Sequence, residues 1–334
     1  MDSQFRDFLN NSLGLGDYQV IQLAGDASAR KYYRVALGER TWVLMSWEPF
    51  KAKDYPFLSV QALFKSCKIR VPEVVAVAED KGLLLLEDLG DLTLERKFWE
   101  NQDASSALKY YHQSLEELIK IHFDATKSKA DSTAHQLNFD TAKFNWEFNY
   151  SKEHLLEGLG QLKLTPGQLQ VVEKTANDIS QRLDKEPKFI VHRDYHSRNL
   201  MIKLDQVRVI DFQDARGGPI QYDLVSLLRD SYVGMSDQMI TELSNDFWNT
   251  AKSRLGKDPS QERFQHYFEL QTVQRCFKAC GSFASFWNQR QDTRYLRYIN
   301  PTLKRVQRAL AHFPEYKDFA LFLIDSGLPE KKFE

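Results

Sequence analysis

The sequence predicts an α+β fold in two lobes, a small β-rich lobe over residues 1–90 and a larger, mostly helical lobe over residues 91–334. Three observations carry this prediction. Residues 18–90 contain runs of strand formers separated by short turns around one helical segment. After Gly90 the apolar residues recur at helical spacing. One short hairpin interrupts the helical half, directly behind the densest polar segment of the chain.

The first strand is Val20-Ile21-Gln22-Leu23, which leads through Gly25-Asp26-Ala27-Ser28-Ala29-Arg30 into a second at Tyr32–Leu37. Gly38-Glu39 is a turn, and Thr41–Met45 is rich in strand formers. Phe57, Val60, Leu63 and Phe64 share a helical face, and Val71-Pro72 closes that helix. Val74–Ala78 and Leu83–Leu86 are strands around the turn Glu79-Asp80-Lys81-Gly82. Leu84–Gly90 joins the lobes.

Beyond Gly90, Leu108, Tyr111, Leu115, Leu118, Ile119 and His122 trace one helical face. Thr165-Pro166-Gly167-Gln168 opens another helix, with Thr165 as cap, Pro166 in the first turn and Gln168 completing a capping box. Its stripe is Leu169, Val172, Ala176, Ile179 and Leu183, and Pro187 closes it. A buried strand, Phe189-Ile190-Val191, precedes a polar loop. The hairpin follows, Leu200-Met201-Ile202 against Val207–Ile210. From Tyr222 onward the chain is again mostly helical.

Composition removes several function classes. With 45 Lys+Arg against 46 Asp+Glu the net charge is −1, which gives no global attraction for a phosphate backbone and argues against nucleic-acid binding. At 42% hydrophobic residues the chain can bury a sizeable core. Cys67, Cys276 and Cys280 are an odd count without C-x-x-C, so no disulfide framework is expected. Cys276 and Cys280 are read as buried small apolar residues. The N-terminal residues are too polar for a signal peptide, and no apolar run reaches the roughly 18 residues of a membrane helix. A cytoplasmic protein without a membrane partner is expected. Oligomeric state is not legible.

Chemistry concentrates in Val191-His192-Arg193-Asp194-Tyr195-His196-Ser197-Arg198-Asn199-Leu200 and Val209-Ile210-Asp211-Phe212-Gln213-Asp214. Both lie at strand ends, where a rigid scaffold aims loop side chains. Phosphoryl transfer needs a carboxylate to orient an attacking hydroxyl and accept its proton, and hard oxygen ligands for magnesium. Asp194, then Asn199 five residues on, then Asp211 beyond a hairpin, match H-x-D-x-x-x-x-N and D-F-x. Asp194 is thus the expected catalytic carboxylate, with Asn199 and Asp211 as Mg2+ ligands. His192 is expected to hold the loop rather than move a proton. His196 and Arg198 can each face phosphates or substrate, or stand as solvated loop groups.

A rival reading makes His192, Asp194, His196 and Asp211 a transition-metal site of a hydrolase, but it requires neither Asn199, nor the hairpin, nor a glycine-bearing lobe upstream. Gly25, Asp26, Ala27, Ser28 and Arg30 belong to a loop between two strands whose amides can cradle the phosphates of ATP. The chain has neither G-x-G-x-x-G nor G-x-x-x-x-G-K-[ST]. Around Glu87 and Leu89 the backbone linking the lobes can read an adenine edge.

These segments, with Leu85–Gly90, Gly218-Pro219-Ile220 and Tyr222-Asp223-Leu224-Val225-Ser226-Leu227-Leu228-Arg229-Asp230, resemble the aminoglycoside phosphotransferase-like branch of the protein-kinase-like fold over residues 18–310. Phe212-Gln213-Asp214 and the Tyr222–Asp230 stretch are similar to the bacterial anomeric sugar kinases acting on N-acetylmuramate and N-acetylglucosamine in cell-wall recycling. The resemblance implies a bilobal kinase fold, ATP with Mg2+, and a small-molecule amino-sugar acceptor phosphorylated at its C1 hydroxyl.

One departure matters. Protein kinases pair a third-strand lysine with a helix glutamate. Here that strand ends Val43-Leu44-Met45-Ser46 and the helix offers Gln61, so both charges are missing together and neither is left buried alone. Arg30, Lys31 and Arg34 are the candidate replacements. Asp223 is expected to cap the following helix and tie it to the catalytic loop. Arg193 is a supporting residue of that loop, and Gln213, which replaces the usual glycine after Asp-Phe, faces the acceptor or packs. From Arg216 onward there are 17 Lys+Arg and 14 Asp+Glu, leaving −4 for the residues before. A polycationic antibiotic needs an acidic pocket, so this favours a neutral or anionic sugar. Arg290, Arg294, Arg297, Lys304, Arg305 and Arg308 form a basic run suited to a solvated helix face or to a carboxylate on the acceptor. Trp146, Trp248 and Trp287 can stack on a sugar or pack in the core. The remaining alternatives are a kinase for an aminoglycoside, a choline-like alcohol or another small metabolite, and a nucleotide-binding pseudokinase module.

Overall fold

The computed structural model describes residues 2–23, 30–100, 105–257 and 259–333. An antiparallel sheet of five strands dominates the N-terminal lobe: β1 (Gln19–Gln22), β2 (Lys31–Leu37), β3 (Arg40–Ser46), β4 (Val74–Ala78) and β5 (Leu83–Glu87), in the order β1-β2-β3-β5-β4. The run Leu83-Leu84-Leu85-Leu86 is buried on both faces, and the pleat divides it. Leu83 and Leu85 join Val35 and Leu44 under helix α1 (Ser3–Leu13), which contributes Phe8 and Leu9. Leu84 and Leu86 face the other way, toward helix α2 (Pro56–Ser66) and the second lobe. Helix α1 was not anticipated. Phe5, Phe8, Leu9 and Leu13 supply its apolar face, and Asp2 caps it by accepting from the Gln4 amide.

The second lobe begins with α3 (Leu94–Trp99) and α4 (Ser105–Ile119), the latter continuing as a wider π-helical segment through Ala125. Next come α5 (Thr141–Ser151) and α6 (Pro166–Asp184). Strands β6 (Lys188–Val191), β7 (Leu200–Lys203), β8 (Gln206–Val209) and β9 (Arg216–Pro219) carry the polar loops. The helices α7 (Gln221–Leu228), α8 (Asp237–Ala251), α9 (Gln261–Arg290), α10 (Ile299–Leu310) and α11 (Lys317–Asp325) complete it. No helix among the described residues is long and apolar enough to cross a membrane. The expected hairpin is β7–β8, turning at Leu204-Asp205.

The Arg216–Pro219 strand escaped the sequence because Gly217-Gly218-Pro219 reads as a turn. Its glycines answer to packing. It pairs with β6, and a Cβ on Gly217 would stand 2.0 Å from Asn138 Oδ1.

The capping box at α6 is present in full, with Thr165 accepting from the Gln168 amide while Gln168 Oε1 accepts from the Thr165 amide at 3.0 Å. Thr165→Ala is expected to cost about 1 kcal/mol in urea unfolding without changing turnover.

Candidate active site

Leaving β6, the chain enters the polar loop through His192, whose imidazole is used on both sides. Its Nε2 lies 2.9 Å from the Ile210 carbonyl, and its Nδ1 accepts from the Asp194 amide at 3.3 Å. A carbonyl only accepts, so Nε2 carries the hydrogen. His192 therefore braces this loop against the strand leading to Asp211 and has no nitrogen left for a metal. No group of three or more His, Cys, Asp or Glu side chains among the described residues is placed to hold one, so the geometry gives the hydrolase reading no support.

Arg193 adopts φ +82°, with its guanidinium on Asp214 at 2.6 Å. Fully buried Tyr195 donates to the Ser114 carbonyl at 2.7 Å. Between these anchors, Asp194 faces the cleft.

Asp194, Asn199 and Asp211 converge. The Asn199 amide donates to the Asp194 carbonyl at 3.0 Å and to Asp211 Oδ2 at 3.3 Å, leaving Asn199 Oδ1 without a hydrogen bond among the described residues. Asp211 adopts φ +63°, a costly conformation for a non-glycine residue. Two neighbours hold it there. Buried Phe212 packs on Phe57 and Phe64 of α2, with ring centroids 5.0 and 5.7 Å away. Gln213 donates to Asp211 Oδ1 at 2.7 Å, which accounts for glutamine at that position.

Asp223 ties the helix to the loop, but not as a cap. It lies inside the first turn of α7, and the residue at the cap position, Ile220, makes no side-chain cap bond. The fully buried Asp223 carboxylate accepts from the amides of His192 at 2.6 Å and Arg193 at 2.9 Å, and meets His122 Nε2 at 3.2 Å. The expected capping role is thus corrected: in this packing the unsatisfied amides belong to the strained loop, not to α7.

His196 stands against Tyr232, and burial pushes its imidazole below the ordinary histidine range. Its Nδ1 is buried with no hydrogen-bond partner among the described residues. Arg198 is not a solvated group. It makes two 2.9 Å bonds to Glu95 of α3 and lies 3.7 Å over the Tyr232 ring.

A cleft of about 690 Å³ runs between the lobes. Arg30, Glu87 and Leu89 line it on one side, Asn199, Asp211 and Gln213 on the other. Gly25, Asp26, Ala27 and Ser28 lie outside the described residues. The Glu87 amide donates to the Glu73 carbonyl at 2.8 Å, and its carboxylate pairs with Lys203 at 2.8 Å. Of the candidate cations, Arg34 is committed to Asp88 and Asp91 at 2.7 and 2.9 Å, clamping the linker. Lys31 is exposed. Arg30 faces the cleft beside Trp47 and Tyr55. Gln61, buried where a charged helix partner would stand, donates to the Pro72 carbonyl.

A smaller cavity of about 230 Å³ opens behind the cleft, and Asp194, His196, Tyr232 and Phe286 line both. Its wall is α9, whose Arg275 and Lys278 no sequence motif marks. Arg275 and Lys278 approach Asp194 Oδ1 to 3.7 and 3.8 Å. Burial alone would raise the Asp194 carboxyl, but the charges of Lys278, Arg193 and Arg275 outweigh it and hold the group well below the usual carboxylate range. None of Trp146, Trp248 and Trp287 lines either cavity, and Trp248 is core. Of the basic run, Arg305 donates to the carbonyls of Arg229, Asp230 and Val233, bracing the loop that carries Tyr232.

Residues 19–254 match the phosphotransferase enzyme family known as APH. The chain belongs to that family. This phosphotransferase is 30% identical over 312 residues to an N-acetylmuramate/N-acetylglucosamine kinase of Neisseria meningitidis, covering 92% of this chain and 91% of that protein. It is 28% identical to one of the same name from Pseudomonas aeruginosa, covering 93% and 89%. A solved choline/ethanolamine kinase family protein from Mesorhizobium loti superposes with a TM-score of 0.60 at 13% identity, covering 96% of this chain and 98% of that one. At that identity the superposition speaks for the fold alone, the bilobal one expected from the sequence.

Proposed function

We propose that this phosphotransferase transfers the γ-phosphate of ATP to the anomeric hydroxyl of N-acetylmuramate or N-acetylglucosamine, as in cell-wall recycling. The carrying observation is the position of Asp194, where the interlobe cleft meets the smaller cavity, ionised and aimed at both. ATP occupies the cleft, with the linker backbone at Glu87 and Leu89 on its base and Arg30 on the phosphate side. The acceptor occupies the smaller cavity. Its hydroxyl gives its proton to Asp194 as its oxygen attacks the γ-phosphorus. The β–γ bridging bond breaks, and ADP leaves with the electron pair. A hemiacetal hydroxyl is more acidic than an ordinary alcohol, which suits a carboxylate base of low basicity.

Asn199 and Asp211, whose side chains meet through Asn199 Nδ2 and Asp211 Oδ2, carry the hard oxygens, Asn199 Oδ1 and the carboxylate, that would hold magnesium, and its chemistry there would be to neutralise charge on the transferring phosphoryl group.

The test is ATP consumption over N-acetylmuramate, N-acetylglucosamine, kanamycin and choline. Consumption with the two amino sugars only is expected. Consumption with kanamycin or choline alone would overturn the acceptor, and ATP binding without turnover of any of the four would favour a nucleotide-binding module.

A further inference from the structure

The charges around the smaller cavity balance in number but not in hydrogen bonds. Five charged groups line it: Asp194, Arg229, Asp230, Arg275 and Lys278. Arg229 is matched by Glu269 at 3.2 Å and Asp237 at 3.6 Å. The Asp230 carboxylate accepts from the amides of Ser197 at 2.9 Å and Tyr232 at 2.8 Å. Those neutral amides leave Asp230 its charge, and the buried Glu147 carboxylate also acts on Arg275 and Lys278. What sets this α9 pair apart is therefore not excess charge but that Asp194, the anion they face in the cavity, takes no hydrogen bond from either. Arg275 is fixed by its Nε donating to Ser226 Oγ at 2.8 Å. The Lys278 ammonium sits at the end of a side chain only 14% exposed, and burial lowers its affinity for a proton. Neither cation meets an acceptor closer than 3.7 Å on Asp194, a distance at which attraction is felt but no hydrogen bond is formed. The ammonium has three hydrogens to donate into a small, largely desolvated space.

The geometry assigns the Lys278–Arg275 pair as a charge filter on the acceptor, admitting neutral and anionic hydroxyl compounds and rejecting cationic ones, with Lys278 as the specificity-determining residue. The assignment rests on the kinase reading above and goes past it by naming what selects the acceptor. At an effective dielectric of about 20, a unit charge about 6–12 Å from a cation changes affinity by about tenfold to a hundredfold. A cationic acceptor in this cavity meets that penalty, and an acceptor carrying a carboxylate gains by it.

The decisive measurement is kcat/KM at slightly acidic pH for a charge series on one sugar frame: N-acetylmuramate (anion), N-acetylglucosamine (neutral) and glucosamine (ammonium). Wild type, Lys278→Met and Lys278→Arg are compared, so that contacts to the acetyl group cancel between enzymes. In the wild type each added positive charge is expected to cost about tenfold or more. Lys278→Met should shrink the ratio of N-acetylmuramate to glucosamine by about tenfold, and Lys278→Arg should restore it. An equal loss of kcat/KM on all three acceptors in Lys278→Met would overturn the filter while leaving the amino-sugar reading standing. Amino sugars left untouched by a wild type that consumes kanamycin or choline would overturn both.

Discussion

Asp194→Asn is expected to reduce turnover by about 10²–10⁴-fold while ATP binding stays within a few-fold of wild type. The substitution keeps the size and one oxygen of the side chain, so the acceptor hydroxyl can still be oriented. What it removes is the proton acceptor and the negative charge. Both losses act where the proposed chemistry occurs, at the junction of the two cavities, and away from Glu87 and Leu89, where the nucleotide base would lie. The charge matters to the protein as well, because Arg275 and Lys278 lose the carboxylate they share. Steady-state kinetics with equilibrium ATP binding separates the effects. Turnover within tenfold of wild type would dismiss Asp194 as the base.

Most of the candidate site was legible because it is local. Asp194, Asn199 and Asp211 lie within eighteen residues on two adjacent strand ends, and their spacing reflects one loop and one hairpin. The structure brings all three to one cleft, and distant segments, Phe57 and Phe64 of α2, Ser114 and Asp223, only brace the loops that carry them. Arg275 and Lys278 were not legible, since they stand 81 and 84 residues beyond Asp194 on a helix with no motif of its own. A signal did exist. Gln271, Gln274, Arg275 and Lys278 fall on neighbouring turns of a helix otherwise rich in phenylalanine, and the first three are buried. A polar stripe inside a core helix needs partners, and here they are Glu147, Ser226 and Asp194. The five-stranded sheet followed from turn chemistry and strand formers. Helix α1 and strand β9 did not, because one was judged only against the hydrophobicity of a leader and the other is built from residues that usually mark turns.

Asp223→Ala should cost about 3–5 kcal/mol of stability and also lower turnover about a hundredfold in the fraction that remains folded. The stability loss comes from burial. Two backbone amides and the His122 imidazole converge on this carboxylate, no water-exposed route replaces it, and each donor left unmatched costs about 1–3 kcal/mol. The activity loss comes from geometry. Arg193 holds φ +82°, and its amide bond to Asp223 is one of the restraints that keep it there, next to Asp194, the proposed base. Without that bond the strained turn can relax, and Asp194 moves with it. A displacement of about 1 Å at a reacting group is enough for a hundredfold loss. Asp223→Asn is the informative companion, because its one oxygen can still accept from one amide while its NH2 opposes the other donors. It should fall between wild type and alanine on both measures. Urea unfolding with an unchanged slope gives the stability term, and kcat at low temperature, where the variants are folded, gives the other. A stable Asp223→Ala protein with wild-type turnover would show that the loop holds its shape without this carboxylate, leaving the bonds of His192, Tyr195 and Arg193 to Ile210, Ser114 and Asp214 as its supports.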